Sequence, residues 1–289
     1  MKVGVTGAYG FIGSHLLDAL TSAPEVEVEP FDKERFNLLQ KESLKPFVED
    51  KEVIFHLANV NRDTNENLIK VNTLGTLNLL EALARYATHD VRLIYMSSFQ
   101  VYQVPAKPAS INELHPTRPL NIYGVSKKAA EEIISCYPFR SVIFRGSNFF
   151  GPGCKPYYNS VIATFCDLLS QNKSFTVHGS GEQGRDFLYI GDVVEALLRA
   201  IHYMPKGVEV INLCRGEIVT VNQLIKMLSE ISEKKIEVDY KDNSQNNEIT
   251  WWGDNTKCKE QLNWSPQMGV KEGLKITYKW FREHGDEKS

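Results

Sequence analysis

Along the first half of the chain, short apolar runs rich in β-branched and aromatic residues alternate with stretches whose apolar positions recur every three or four residues. The runs at Lys2–Thr6, Val26–Phe31, Val53–Leu57, Val91–Ser97 and Ser141–Phe144 predict strands. The stretches at Ile12–Thr21, Leu39–Val48, Asn67–Tyr86 and Tyr123–Cys136 predict helices. Strands that alternate with helices build βαβ units, and runs as continuously apolar as "VIFHLA" and "RLIYMSS" suit strands covered on both faces. The pattern predicts an α/β protein with a doubly wound parallel sheet.

The second half is less regular. A Gly/Pro-rich loop, "GPGCKPYY", precedes a helix predicted over Ser160–Leu169. Further strands are expected at Phe175–His178, Val208–Leu213 and Ile236–Tyr240, and further helices at Asp192–Tyr203, Val221–Ser232 and Val270–Glu283. The polar segment "KDNSQNNEITWWGDN", with its Trp pair, is expected to be a mobile or substrate-covering loop. Residues 1–151 are expected to form the sheet domain and 152–289 a smaller α/β substrate-binding domain. Parts of 174–213 are expected to return to the first sheet, leaving a cleft between the two.

Length and charge narrow the class. The 289 residues suffice for one large domain or two sharing a cleft, and 42% hydrophobic with 24% charged residues is ordinary for a soluble globular protein. A net charge of −3 gives no footprint for nucleic acid or an anionic membrane, and no apolar run approaches a membrane span. The start, "MKVGVTGAYG", lacks the apolar core of a secretion signal. Cys136, Cys154, Cys166, Cys214 and Cys258 show no C-x-x-C spacing and read as reduced thiols of a cytoplasmic protein. The histidines form no metal-ligand spacing, so no metal is expected.

Two local patterns carry chemistry. In "VGVTGAYGFIGSHL", Gly7, Gly10 and Gly13 lie between a strand and a helix, as a turn cradling a pyrophosphate on helix amides requires. The spacing is G-x-x-G-x-x-G, and the context points to a Rossmann sheet. Asp32, ending the second strand, can accept hydrogen bonds from an adenosine ribose and would repel a 2′-phosphate, which favours NAD; Lys33 and Arg35 beside it would suit NADP instead. The second pattern is "YGVSK", which puts Tyr123 and Lys127 one turn apart on one helix face. A nearby ammonium lowers a phenol's pKa, so the pair is a candidate acid/base. Ser97 and Ser98 fall at the carboxyl end of the fourth strand, where open α/β sheets place ligands.

The ordered set "TGAYGFIGSH", "HLAN", "VNTLGTLNLLEAL", "SSFQVY", "YGVSK", "SNFFGPG", "RDFLYIGDVVEAL" and "WSPQMGVKEGL" resembles the extended short-chain dehydrogenase/reductases, the NAD-dependent epimerase/dehydratase family, nearly end to end. The resemblance implies that Ser98 orients the substrate oxygen and that Tyr123 is the acid/base. Lys127 would lower the tyrosine pKa and hold the nicotinamide ribose. It further implies cofactor contacts from Gly7, Gly10, Phe11, Ile12, Gly13, Asp32, Leu57, Ala58 and Asn72. The substrate would be a nucleotide sugar, with Asn148 and Arg185 as donors to its diphosphate. A homodimer is implied, built on the helices near Asn67–Tyr86 and Tyr123–Cys136.

Departures from the family pattern narrow the reaction. Phe99 and Gln100 stand where many 4,6-dehydratases carry Asp-Glu, which argues against dehydration. The loop "HLANVNRDTNENLIKVN" is shorter than in classical UDP-galactose 4-epimerases and lacks their lysine near Asn61, and "NSQNNEI" lacks their arginine. "HLANVNRD", "SSFQVYQ" and "CKPYYNSVIATFC" instead resemble capsular-polysaccharide enzymes that reduce UDP-4-keto-6-deoxy amino sugars at C4, which places Tyr158 and Asn159 in the sugar pocket. The expectation is a 4-ketoreductase, with a nucleotide-sugar 4-epimerase as the alternative. A non-catalytic dinucleotide sensor or a dehydrogenase for a small alcohol fits less well. A sensor needs neither Tyr123 nor Lys127, and a small alcohol needs no Asn148 or Arg185.

Overall fold

The structure is a computed structural model and describes residues 1–158, 160–242 and 250–284. Six parallel strands form the central sheet in the spatial order Val208–Leu213, Arg140–Gly146, Arg92–Ser98, Val53–His56, Lys2–Thr6, Glu27–Pro30. The chain starts at Lys2–Thr6, adds Glu27–Pro30 on one side, then crosses to Val53–His56 on the other and builds outward. That reversal leaves a crevice beyond the carboxyl ends of Lys2–Thr6 and Val53–His56, where ligands of such sheets bind.

Alternation along each strand divides the apolar side chains between two faces. Val3, Val5, Phe55 and Ile94 pack with Leu16, Leu20, Val193 and Leu197 from helices Phe11–Thr21 and Ile190–Ala200. Ile54, Leu93 and Tyr95 pack on the other face with Phe47, Leu79, Leu83 and Ile134. A third core lies to one side. There helices Val161–Ser170, Val221–Ser232 and Val270–His284 bury Phe165, Leu224, Leu228 and Leu274, with Phe165 stacked on Phe175 at 4.3 Å between ring centroids. The parallel pair Phe175–His178 and Val238–Lys241 borders this core.

Two predicted helices take a different form. Over Leu39–Val48 the chain makes a 3-10 turn at Lys41–Leu44 and one α turn at Lys45–Val48. Pro46 has no N–H to give the preceding turn, so a continuous α-helix is barred. The helix predicted from Asn67 starts at Asn65 and is interrupted by a π turn, Lys70–Leu74, before continuing as Gly75–Tyr86. Three short pairings were not predicted: Ala109–Ile111 with Trp251–Gly253, Asn148–Phe150 with Phe187–Tyr189, and Gly184–Arg185 with Val219–Thr220. Strands this short carry no readable alternation. Of the polar segment expected to cover the substrate, residues 243–249 lie outside the described residues, and Trp251–Gly253 forms a strand rather than a loop.

Helix Ile190–Ala200 joins the sheet to the C-terminal segment through one buried carboxylate. Asp192 accepts the Gln267 and Met268 amides at 3.0 Å each, and its carbonyl accepts the Trp264 indole N–H at 3.0 Å. Asp192→Ala would leave both backbone donors without their acceptor. The expected loss is about 2–3 kcal/mol of unfolding free energy, read by urea denaturation.

Candidate active site

At the crevice the three glycines divide into two roles. Gly7 adopts φ +70°, and a Cβ there would stand 2.6 Å from the Ala58 nitrogen. A Cβ on Gly13 would stand 2.0 Å from the Gly7 carbonyl oxygen. Both are therefore demanded by the contact of strand, turn and helix. Gly10 differs: a Cβ there would meet only the Gly7 oxygen, at 3.2 Å. Its bare backbone is not required by the chain's own packing and leaves room above the start of helix Phe11–Thr21. That helix has no side-chain cap and no acidic residue in its first turn. The Phe11 and Ile12 amides therefore fit the phosphates of a dinucleotide. Leu57 and Ala58 close the floor against Gly7.

Asp32 lies at the rim of the crevice and uses one carboxylate oxygen to accept the Glu34 amide at 2.9 Å. Arg35 is drawn away from it, to Glu29 at 3.5 Å and over the Phe36 ring at 4.8 Å. Lys33 is exposed, and among the described residues it forms no ion pair.

A buried chain of hydrogen bonds runs from the crevice to the tyrosine helix. The Ala58 N–H donates to Thr6 Oγ1 at 3.2 Å, and Thr6 Oγ1 lies 2.7 Å from His56 Nδ1. His56 Nε2 lies 2.9 Å from Thr76 Oγ1, which donates to the Asn72 carbonyl at 2.7 Å. Because Thr76 spends its proton on Asn72, His56 must donate from Nε2 and accept at Nδ1. Burial, with Lys127 adding to it, pushes His56 down to about 3, so the ring is neutral, as this bonding needs. The Asn72 amide clamps Val60 through both N–H and C=O, at 2.9 Å each, and donates to Ser126 Oγ at 3.0 Å. Ser126 in turn donates to the Tyr123 carbonyl at 2.7 Å. Asn72 is buried, and its side chain ties the loop at Val60 to the tyrosine helix at Ser126.

Helix Ile122–Ser135 carries Tyr123 and Lys127 and is capped by Asn121, whose Oδ1 accepts the Gly124 amide at 2.8 Å. Asn121 Nδ2 donates to Gln100 Oε1 at 2.8 Å, and the Gln100 amide donates to Ser98 Oγ at 3.2 Å. The serine's strand end and the tyrosine's helix start are thus tied together, and Gly124 permits the approach: a Cβ there would stand 2.3 Å from the Gln100 carbonyl oxygen. Of these positioning residues, Asn121 was legible as a cap residue ahead of a helical pattern. Gln100, Ser126 and His56 carried no local signal, since their roles depend on partners far along the chain.

The electrostatics differ from the sequence expectation. Burial is the largest influence on Tyr123 and pushes its phenol up to about 12; a hydrogen bond with Ser98 opposes this, and nearby Tyr158 adds to it. Ser98, rather than Lys127, is the group that pulls the phenol back. Lys127 is buried, with Nζ 4.4 Å from the Tyr95 ring centroid, and burial lowers its own pKa to about 7 against an opposing pull from Glu131.

The substrate-side candidates scatter more. The Tyr158 hydroxyl accepts the Asn61 and Arg62 amides at 3.3 and 3.0 Å, lashing the Gly/Pro-rich loop to the loop after Val53–His56. Asn148 is exposed, and its Nδ2 donates to the Asp186 carbonyl at 3.1 Å. Arg185 is exposed and donates to the Gly184 carbonyl at 2.8 Å; among the described residues it pairs with no carboxylate. The two acids beside it in sequence are turned inward. Asp186 accepts the Arg215, Gly216 and Gly253 amides, as Asp192 accepts Gln267 and Met268. Asn159 lies outside the described residues. Among the described residues no cluster of three or more His, Cys, Asp or Glu could hold a metal.

A glycine turn at the switch of a parallel sheet, with a serine ending a strand of that sheet and a tyrosine and lysine on the helix tied to it, is the arrangement of a dinucleotide-dependent enzyme class. The family model described as the NAD dependent epimerase/dehydratase family matches residues 3–214, and the chain belongs to that family. A putative UDP-glucose 4-epimerase of Methanocaldococcus jannaschii is 31% identical, over 97% of this chain and 98% of the relative. Among solved structures, the UDP-glucose 4-epimerase of Thermotoga maritima with UDP-glucose superposes with a TM-score of 0.87 at 29% identity, covering 98% of this chain and 99% of that one. RMD from Pseudomonas aeruginosa, complexed with NADPH, gives 0.87 at 28% identity with the same coverage.

Burying a lysine for this site has a measurable consequence. Its folded pKa, about 7, lies below the ordinary 10.5. The penalty is therefore complete below pH 7, where the side chain is charged in both states, and fades as pH rises toward 10.5. Lys127→Met is expected to raise unfolding free energy by about 2 kcal/mol or more below pH 7. The gain should shrink steadily at higher pH, as followed by denaturant titration across pH 6–10.

Proposed function

We propose that this protein transfers a hydride at C4 of a nucleotide-bound sugar, using a tightly held NAD, and that it acts as a 4-epimerase. The observation that carries the reading is the hydrogen bond between Ser98, at the carboxyl end of its strand, and Tyr123, with Lys127 one turn further along the tyrosine's helix. The full-length similarity to UDP-glucose 4-epimerases supports the direction. Gly7, Gly10, Phe11, Ile12, Gly13, Leu57 and Ala58 would hold the dinucleotide, with Asp32 at its adenosine ribose and Lys127 at its nicotinamide ribose. NAD is favoured over NADP because Asp32 faces the rim while Arg35 is engaged by Glu29 and Phe36.

When bound, the nicotinamide supplies the hydride acceptor and donor. Tyr123 takes the proton of the C4 hydroxyl as the alcohol becomes a ketone and returns it when the ketone is reduced. Ser98 already accepts the Gln100 amide, so its own proton is free to donate to the sugar oxygen or the tyrosine oxygen. The hydrogen bond from Ser98 opposes the burial that holds Tyr123 near 12, and Lys127 would meet the nicotinamide ribose. Arg185 and Asn148 supply donors to the diphosphate, and Tyr158 borders the sugar.

A second reading, net reduction of a 4-keto-6-deoxy nucleotide sugar, is favoured by one observation. A phenol held near 12 is protonated at neutral pH and so is ready to act as the acid that a ketone reduction needs first. The likeness of "CKPYYNSVIATFC" to the ketoreductases supports the same reading. Supplying UDP-sugars epimeric at C4, and separately a 4-keto-6-deoxy sugar with 4-deuterated NADH, separates the two. Epimerisation is expected, without net cofactor use; one deuterium at C4 per NADH oxidised would transfer the assignment to the reductase. Tyr123→Phe should slow either reaction about 10²–10⁴-fold while cofactor affinity is kept.

We also infer a homodimer. Ile69, Leu74, Ile122 and Val125 are exposed on two helices that pack against one another, an apolar face that a second copy could cover. Light scattering should give twice the 32.8 kDa chain mass. Val125→Glu should shift the protein to monomer, whereas a wild-type monomer at every concentration would refute the inference.

A further inference from the structure

An ion pair with both partners buried lies among residues not assigned so far. Glu131, one turn beyond Lys127 on the tyrosine helix, is 2% exposed and faces Arg145, 4% exposed. Its Oε1 accepts Arg145 Nε at 3.1 Å and Ser97 Oγ at 2.5 Å, and its Oε2 accepts Arg145 Nη2 at 2.7 Å. Ser97 and Arg145 are register partners on the adjacent strands Arg92–Ser98 and Arg140–Gly146, so one carboxylate grips two strands at the same rung. Arg145 is held in turn over the Tyr102 ring at 4.7 Å.

The placement matters because Ser97 precedes Ser98, while Lys127 and Tyr123 lie one and two turns before Glu131. We propose that Glu131 is a positioning residue: with Arg145 and Ser97 it fixes the register of the tyrosine helix against the strand bearing Ser98, and its carboxylate, one turn from Lys127 on the same helix, favours the charged form of that lysine. The proposal rests on the reading of Tyr123 and Lys127 as the acting pair.

The surroundings of Lys127 leave this role to Glu131. Strand Arg92–Ser98 presents the Tyr95 ring, strand Val53–His56 presents neutral His56, and the lysine's own helix supplies Tyr123 and Glu131. Arg145, from strand Arg140–Gly146, is spent on Glu131, and Lys128 reaches the same carboxylate at 3.6 Å. Among the described residues, Glu131 is the one carboxylate that acts on Lys127, and it does so against burial. A bidentate arginine pair keeps the carboxylate ionised and oriented, which a solvated acid at the same distance would not ensure.

The test reads Lys127 directly. In protein labelled with ¹³C-lysine, the Lys127 ε-carbon resonance, assigned by its loss in Lys127→Met, is followed against pH. Glu131→Gln should lower its titration midpoint by about one unit. Because Glu131→Gln strands a buried arginine, the double variant Glu131→Gln/Arg145→Met removes both charges and keeps the fold testable. It should lower the midpoint likewise. Ser97→Ala, which keeps both charges, should leave the midpoint in place. NADH affinity, titrated by fluorescence, should weaken as pH rises through the Lys127 midpoint, and at correspondingly lower pH in the double variant. A folded double variant with an unmoved Lys127 midpoint would reduce Glu131 to a structural residue and overturn the proposal. If the wild type binds no nicotinamide cofactor, the enzymatic reading fails, while the lysine titration still decides the role of Glu131.

Discussion

Everything at the crevice hangs on a buried chain of hydrogen bonds that leads from the Ala58 amide through Thr6, His56 and Thr76 to Asn72, and from the Asn72 side chain through Ser126 to Tyr123. Along it each hydroxyl accepts from one side and donates to the other. Such a chain has a single consistent proton arrangement, and interior hydrogen bonds that run in one sense reinforce each other. It joins the loop that would meet a dinucleotide to the helix that would meet the substrate, so neither can shift without leaving a buried polar group unsatisfied. The π turn at Lys70–Leu74 belongs to this constraint, because it lies within the helix where Asn72 must face inward.

The same region gives up stability for chemistry. A phenol and an ammonium are both buried where water would have solvated them, and each is moved away from its ordinary pKa by that burial. Tyr95 stacks beneath Lys127 with its own hydroxyl buried. Buried charge is tolerated here because the Glu131 carboxylate, one turn along the same helix, offsets it, and Arg145 holds that carboxylate in place. The cluster behaves as one electrostatic unit that spans three strands and one helix.

The two halves of the chain meet at this unit through contacts that no single segment encodes. Tyr158 accepts two amides of the Asn61 loop, and His15 binds the Pro152 carbonyl at 2.9 Å, while within the second half Asp186 gathers amides from Arg215, Gly216 and Gly253. These bonds set the spacing between the dinucleotide crevice and the residues that would meet a sugar. Phe99, next to Ser98, stacks on Trp251 at 5.5 Å, so the end of the chain also walls the serine's loop.

The sheet, its six parallel strands and the glycine turn were legible in the sequence, because period-two and period-3.6 patterns and strand–glycine–helix order are local properties. Tyr123 and Lys127 were legible for the same reason: helical spacing alone puts them on one face. The helix over Leu39–Val48 was misread although Pro46 stood in view, and the three short strand pairs left no alternation to read. What tertiary structure decided were the roles. Asn72 became a clamp, Gly10 separated from Gly7 and Gly13 as the opening, and Ser98 replaced Lys127 as the group that eases the Tyr123 proton. Burial and distance set those roles, and both depend on residues far apart in sequence. A pattern can say that a phenol and an ammonium share a helix face; only the packed interior decides how far each is removed from water and which carboxylate stands behind them.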